Sequence, residues 1–299
     1  MTLADRIFFP KLALGFITVI EDKRGIAMLQ IKNHGPVTLF YMGRSPLGFL
    51  LYPVHAFLVG DMLIDTGTNR VDKPFLSALT GRSIAKIVNT HHHEDHTGNN
   101  RDIQERFKIP IYAHPSALPY LENPRLNALR LYQRIVWAWP KKSKGAAIGV
   151  SITAGNLHFE VINSPGHTDD HICLYEPDKK WLFSGDLFCG TTFIYLRRDE
   201  NYLQILETIK NLSKLEIDTI FCNLKGVVEN GNEALQRKIK KMEKLRDHVL
   251  KLQEKGLPPQ SIRQEVLGKE DAWNLITGGH YSKQNTIDSI LSGKRPDQS

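Results

Sequence analysis

Ala85-Lys-Ile-Val-Asn89 runs directly into Thr90-His91-His92-His93-Glu94-Asp95-His96. The first five residues are short, largely apolar and rich in β-branched character, which predicts a strand. The next seven hold six side chains able to ligate a metal. A divalent transition metal takes imidazole nitrogens and carboxylate oxygens at about 2.0–2.2 Å, and a loop leaving a strand turns alternate side chains toward one point. His91 and His93 can therefore share one ion, while Asp95 and His96, where the chain begins to bend, can face a second point beside it.

Two further segments repeat the arrangement of a strand running into a loop. Ser164-Pro-Gly-His167-Thr-Asp-Asp-His171 and Phe183-Ser-Gly-Asp186 each place a ligand type after a glycine that lets the backbone turn sharply. Asp65, in Leu63-Ile-Asp65-Thr-Gly67, ends another expected strand, where a carboxylate can orient a ligating imidazole from behind. Around these segments, β-rich runs are expected at 36–41, 54–59, 61–65, 109–113, 151–163, 171–175 and 180–184, and residues 1–20 read as a first strand. Helical spacing is expected at 73–79, 125–139, 202–215, 233–254, 260–267 and 282–291, so the class is mixed α/β. In 233–254, Leu235, Ile239, Met242, Leu245, Val249 and Leu252 recur every three or four residues and make one buried face.

The series His91-x-His93-x-Asp95-His96, Pro165-Gly-His167-Thr, Ser184-Gly-Asp186 and Asp65-Thr-Gly67 resembles the motif series of the metallo-β-lactamase superfamily, over residues 54–190. The resemblance implies a four-layer αβ/βα sandwich carrying its metal site on one rim, with a helical C-terminal extension. On that basis residues 1–230 are the catalytic domain and 231–299 the extension packed on it. It also implies His91, His93 and His167 on a first metal, Asp95 and His96 on a second, Asp186 bridging, and Asp65 behind the ligands. The branch most resembled holds glyoxalase-II-like hydrolases and β-lactamase-like endoribonucleases. One position departs from that pattern. The family's last histidine should follow the next strand, where this chain reads Asp218-Thr-Ile-Phe-Cys-Asn-Leu-Lys225-Gly226 with no histidine. Leu224 or Lys225 is expected there; a lysine ammonium would repel a cation and partly replace its charge. His280, in Gly278-Gly-His280-Tyr281, is the other candidate to complete the second site.

A metal at such a site lowers the pKa of its bound water toward about 7, giving a hydroxide nucleophile with Asp95 or Asp186 to accept its proton. The expected activity is hydrolysis of an ester, thioester or lactone by a zinc enzyme holding one or two ions, with iron or manganese also compatible with the donors. A phosphodiesterase or nuclease, a mononuclear iron thiol oxygenase and a non-catalytic binding protein are the alternatives. Substrate choice is expected in residues 123–142, where Arg125, Arg130 and Arg134 alternate with Tyr132, Trp137 and Trp139, a composition suited to an amphipathic lid. Residues 188–193 are a further rim candidate.

The remaining composition narrows the setting. The chain has 299 residues, 41% of them apolar, with no run long enough to span a bilayer. Cys173, Cys189 and Cys222 are odd in number and widely spaced, which argues against a disulfide framework and for a reducing, cytoplasmic setting. The net charge of +7 favours anionic partners, and much of it lies in Arg237–Arg246, read as a solvated helix face. A small-molecule substrate is expected ahead of nucleic acid, for which no binding module is legible.

Overall fold

Two sheets stack with their strand ends meeting on one rim, because the β-rich half of the chain alternates inward apolar residues with crossover helices. The structure, a computed structural model, describes residues 18–21 (backbone), 27–44, 50–192 and 194–296. The first sheet runs in chain order through β1 (Thr18–Glu21), β2 (Ala27–His34), β3 (Val37–Arg44), β4 (Leu51–Val59), β5 (Met62–Ile64), β6 (Lys86–Val88), β7 (Ile111–Ala113) and β8 (Ala146–Ala147). It is antiparallel as far as β5 and parallel from β5 to β8. The second sheet is built from β9 (Ser151–Ala154), β10 (Leu157–Asn163), β11 (Ile172–Glu176), β12 (Trp181–Phe183), β14 (Thr219–Cys222) and β15 (Gly226–Glu229), with β12 and β14 parallel. A two-stranded ribbon pairs β13 (Leu196–Arg197) with β16 (Tyr281–Ser282).

Parallel neighbours need crossovers, and helices supply them. Helices α1 (Asp72–Leu79) and α3 (Asn100–Phe107), with the single turn α2 (Glu94–Thr97) ahead of α3, cover the outer face of the first sheet, with Phe75, Leu79 and Ile103 buried against Phe40, Leu63 and Ile87. Helices α6 (Tyr202–Leu212), α7 (Gly231–Glu254), α8 (Pro259–Val266) and α10 (Lys283–Ser292) cover the outer face of the second. Between the sheets Phe57, Val59 and Ile64 meet Phe159, Phe183 and Phe221. The layering is thus helix, sheet, sheet, helix, as expected, and the periodic face of α7 buries Leu235, Ile239, Met242, Val249 and Leu252. Burying each such side chain is worth about 1.5–3 kcal/mol.

Three expectations change. After the short α4 (Leu118–Glu122), the helix expected at 125–139 is broken into a single 3-10 turn, Pro124–Leu126, and a short α5, Leu131–Val136. Arg130 is extended and Ala138 takes the left-handed region (φ 62°), while the indole N–H groups of Trp137 and Trp139 donate to the carbonyls of Tyr52 and Asn127. Those long-range bonds, together with side chains drawn toward Glu94, replace regular helix. The strand expected at 151–163 folds back at Gly155 (φ 58°) into the β9–β10 hairpin. Of the first strand expected in residues 1–20, Thr18–Ile20 belong to β1 and the rest lies outside the described residues. Among the described residues, no helix is long and apolar enough to cross a membrane.

Candidate metal centre

The chain leaves β5, β6, β12 and β14 at their C-terminal ends on the same rim, so Asp65, the 90–96 loop, Asp186 and Asn223 converge there. His167 comes from the loop between β10 and β11. The close packing rests on two glycines. Gly166 adopts φ +132°, and an added Cβ would meet the Ile205 backbone at 2.7 Å; Gly185 adopts φ +47°, and a Cβ would meet His171 Nε2 at 2.6 Å. A side chain at either position would displace the ligand segment that follows it.

Three ring nitrogens meet at one point. His91 Nε2 lies 2.9 Å from His93 Nδ1, and His167 Nε2 lies 3.0 Å from the same atom. All three rings are buried. Burial, then the surrounding imidazoles for His91 and Arg197 for His93, hold the pKa of both well below the usual histidine range. These two rings therefore offer lone pairs at neutral pH. His167 Nδ1 donates to Glu200 Oε1 at 2.5 Å, which fixes its tautomer and turns its Nε2 lone pair inward. Burial works against a charge on His167, but Glu200 and Asp186 outweigh it and raise its pKa. Three buried ring nitrogens gathered this closely, one from each of three histidines, are a donor set that a divalent transition metal fits.

Beside this group, His91, His96 and Asp186 form a second cluster of possible ligands. Asp186 faces both: Oδ1 is 3.3 Å from His96 Nε2 and Oδ2 is 3.7 Å from His167 Nε2. Burial opposes its charge, yet His96, His167 and Asn223 keep its pKa far below the ordinary carboxylate value. Asp95 Oδ2 stands 3.9 Å from His96 Nε2, and burial pushes the Asp95 pKa up to about 7. Asp65 is held in the left-handed region (φ 57°). There its carboxylate accepts from Thr90 N–H and Oγ1–H (2.8 Å each) and from His96 Nδ1–H (2.7 Å). Leaving any one of these three buried donors unpaired would cost about 1–3 kcal/mol. Asp65 thus braces His96 and the start of the 90–96 loop.

At the place of the missing histidine stands Asn223, not Leu224 or Lys225. Its Oδ1 accepts the His55 backbone N–H at 2.8 Å, which fixes the amide so that Nδ2 faces the cluster. Nδ2 then donates to His96 Nε2 (2.8 Å) and to Asp186 Oδ1 (2.9 Å). Lys225 runs elsewhere, its Cε beside Gly190. His280 is also absent from the second cluster. The β13–β16 ribbon brings it to the other side, where Nδ1 accepts from Tyr132 OH (2.7 Å) and Nε2 lies 3.5 Å from Asp199 Oδ1.

Within the His-rich stretch, two side chains turn away. His92 stacks on Tyr120 (4.1 Å between ring centres) and pairs with Asp170 (2.8 Å). Glu94 accepts from Gln133 (2.8 Å) and Asn127 (3.4 Å), anchoring the 123–142 segment over the site. Trp137 is buried edge-on against Tyr52 (5.3 Å), and Trp139 lies under Arg125 and Arg134 (3.8 and 4.8 Å). Of the 188–193 rim candidate, Phe188 is buried, Cys189 donates to the Asp186 carbonyl, and Phe193 lies outside the described residues.

Sequence reasoning missed Asn223, Glu200, Arg197, Asp199 and His171. Arg197 is buried, forks onto Asp199 (3.1 and 3.0 Å) and reaches His93 Nδ1 with Nη1 at 3.3 Å. The charged run Arg197-Arg-Asp-Glu200 ahead of the α6 N-cap Asn201 was the available signal, since a helix start rarely needs four such residues unless some face inward. His171 lies beneath the site, accepting the Asp186 N–H at Nε2 (3.2 Å), and burial lowers its pKa to about 3.

The model of the metallo-beta-lactamase superfamily matches residues 51–223, more than half of the chain. The chain belongs to the metallo-β-lactamase superfamily. This superfamily member is 32% identical over 144 residues to a hydroxyacylglutathione hydrolase of Bdellovibrio bacteriovorus, covering 46% of this chain and 48% of that protein. It is 29% identical over 219 residues to a hydroxyacylglutathione hydrolase of Idiomarina loihiensis, covering 69% of this chain and 74% of that one. The chain therefore spans about half the length of the first of these relatives. Among solved structures it resembles TTHA1623 in a di-iron-bound form, with 28% identity and a TM-score of 0.51 over 61% of this chain and 93% of that one.

Proposed function

We propose that the chain is a metal-dependent hydrolase acting on an ester, thioester or lactone of a small molecule. The observation that carries the reading is that His91 Nε2 and His167 Nε2 lie 2.9 and 3.0 Å from His93 Nδ1, with Asp186 alongside. The two relatives named as hydroxyacylglutathione hydrolases support a thioester. His91, His93 and His167 would hold the metal, with Asp186 at its edge. Zinc suits this donor set first, and iron or manganese remain compatible with it. When bound, such an ion lowers the pKa of coordinated water and polarises the carbonyl under attack.

The chain's own residues do the rest. Asp95, 3.9 Å from His96 Nε2, would accept the proton of the attacking water, while Asp186 stays ionised and orients it. Glu200 and Asp65 hold His167 and His96 in single tautomers. Arg197, fixed by Asp199, directs a guanidinium toward the same point and stabilises negative charge developing on the substrate oxygen. Tyr52, Tyr132 and Trp137 wall the site with aromatic surface that limits water.

A second reading follows from Asn223. An amide donating to both His96 and Asp186 supplies part of the positive charge that a second metal would bring, which favours a single ion. A single iron acting as a thiol oxygenase centre would be compatible with that arrangement. The two readings separate in one experiment, in which untagged protein is assayed against a thioester, a simple ester, a lactone and bis-p-nitrophenyl phosphate, with metal content measured on the same sample. The expected outcome is carbonyl-ester or thioester hydrolysis lost on chelation and restored by zinc. Turnover of the phosphodiester alone, or oxygen consumption with an iron-loaded protein and no hydrolysis, would overturn it.

A further inference from the structure

We propose that the outer face of the roof over the metal centre, formed by residues 124–136 and α9 (Ala272–Thr277), docks on an anionic lipid surface. Six large apolar side chains are exposed among the described residues, and five of them lie in these two segments: Leu126, Leu131 and Ile135 on one, Leu275 and Ile276 on the other. Leu131 and Leu275 are 70% and 83% exposed. Single exposed leucines are ordinary, but five gathered on two neighbouring elements are not.

The two segments sit side by side because their inner faces are pinned to the site. Tyr132 of α5 donates to His280, and its ring lies 6.4 Å from that of Trp273 of α9. Trp273 stacks on Tyr52 at 5.1 Å, and Gln133 donates to Glu94. With Tyr132 and Gln133 turned inward, Leu131 and Ile135, one turn apart, share the outward stripe. On α9 the buried Thr277 and the stacked Trp273 face in, leaving Leu275 and Ile276 outward.

Charge selects the partner. From Asn123 to Lys144 the chain carries six basic residues and no Asp or Glu. Arg44 and Arg70 add guanidinium groups beneath the end of α5, donating to the carbonyls of Ile135 and Arg134. The acids beside α9 are turned to other work: Glu270 accepts from Ser282 and Gln284, and Asp271 from Trp273 N–H and Tyr195 OH. An apolar patch on a segment that carries Arg125, Arg130 and Arg134 and no carboxylate matches a membrane interface, where leucines enter the acyl boundary and Arg or Lys meet anionic headgroups. A second copy of the same face, placed across a two-fold axis, would set these like charges against one another. The docking is independent of the reaction proposed for the site beneath it.

Co-sedimentation of the full chain with phosphatidylcholine vesicles, with and without phosphatidylglycerol, tests the proposal. Binding to the anionic vesicles is expected to exceed binding to neutral ones by about tenfold or more at low salt and to weaken as salt is raised. The Leu131→Ser/Leu275→Ser protein, shown to be folded by circular dichroism and unchanged metal content, is expected to lose about tenfold in partitioning. If that pair misfolds, Ile135→Ser and Ile276→Ser singly replace it. Wild type remaining in the supernatant with both vesicles would overturn the proposal, as would serine variants binding as well as wild type. A wild-type dimer in analytical ultracentrifugation that the serine variants dissociate would assign the face to a second copy and overturn it too.

Discussion

Alanine at both His91 and His93 is expected to strip the chain of its bound metal and to lower hydrolysis by about 10³-fold or more, while leaving the fold intact. The two rings supply two of the three nitrogens that meet at the site, and His167 alone offers one bond where a tetrahedral ion needs three protein ligands. Removing two buried imidazoles relieves the close nitrogen contacts, though it also leaves a cavity, so the midpoint of thermal unfolding in metal-free protein should change little. Elemental analysis and a carbonyl-ester assay on the same preparations check both parts. Retained metal with lost activity would move the ion away from His91 and His93.

Asn223→His is expected to raise metal content from about one to about two ions per chain. The wild-type amide occupies the second cluster as a hydrogen-bond donor, giving one N–H to His96 and one to Asp186. Burial disfavours a charge on His96, but Asp65, Asp186 and Asp95 outweigh it and raise its pKa, so the cluster already attracts positive charge. An imidazole at 223 exchanges a donor for a lone pair, and a cation then has His96, Asp95, Asp186 and the new ring within reach. The His55 N–H keeps the Asn223 main-chain carbonyl as acceptor, so the substitution should cost no more than about 1 kcal/mol at that contact. Stoichiometry unchanged at one, measured after equilibration with zinc, would mean that the second cluster lacks the geometry to hold an ion whatever stands at 223.

The parts of the site legible in the sequence were those carried by local chemistry. His91, His93, Asp95 and His96 lie within eight residues of the end of β6, and glycines mark the turns ahead of His167 and Asp186, so short-range patterns place them on one rim. The parts that stayed hidden depend on contacts across the fold. Counting from the motif could not show that the β14 turn presents Asn223 rather than Lys225, because the His55 N–H beyond residue 50 fixes that amide. Glu200 and Arg197 reach the histidines only through the loop that precedes α6, and His280 reaches the rim only because β16 pairs with β13. The broken 125–139 helix has the same origin. Its apolar periodicity was real, but Glu94, Tyr52 and the site beneath it claimed the side chains and indole N–H groups that a regular helix would have turned outward.

Metal content of the untagged wild-type protein, by elemental analysis after purification without chelator, tests the account most directly. About one divalent transition-metal ion per chain, removable by chelation together with hydrolytic activity, is the predicted result. A protein that holds no metal, and takes up none on equilibration with zinc, iron or manganese, would contradict it.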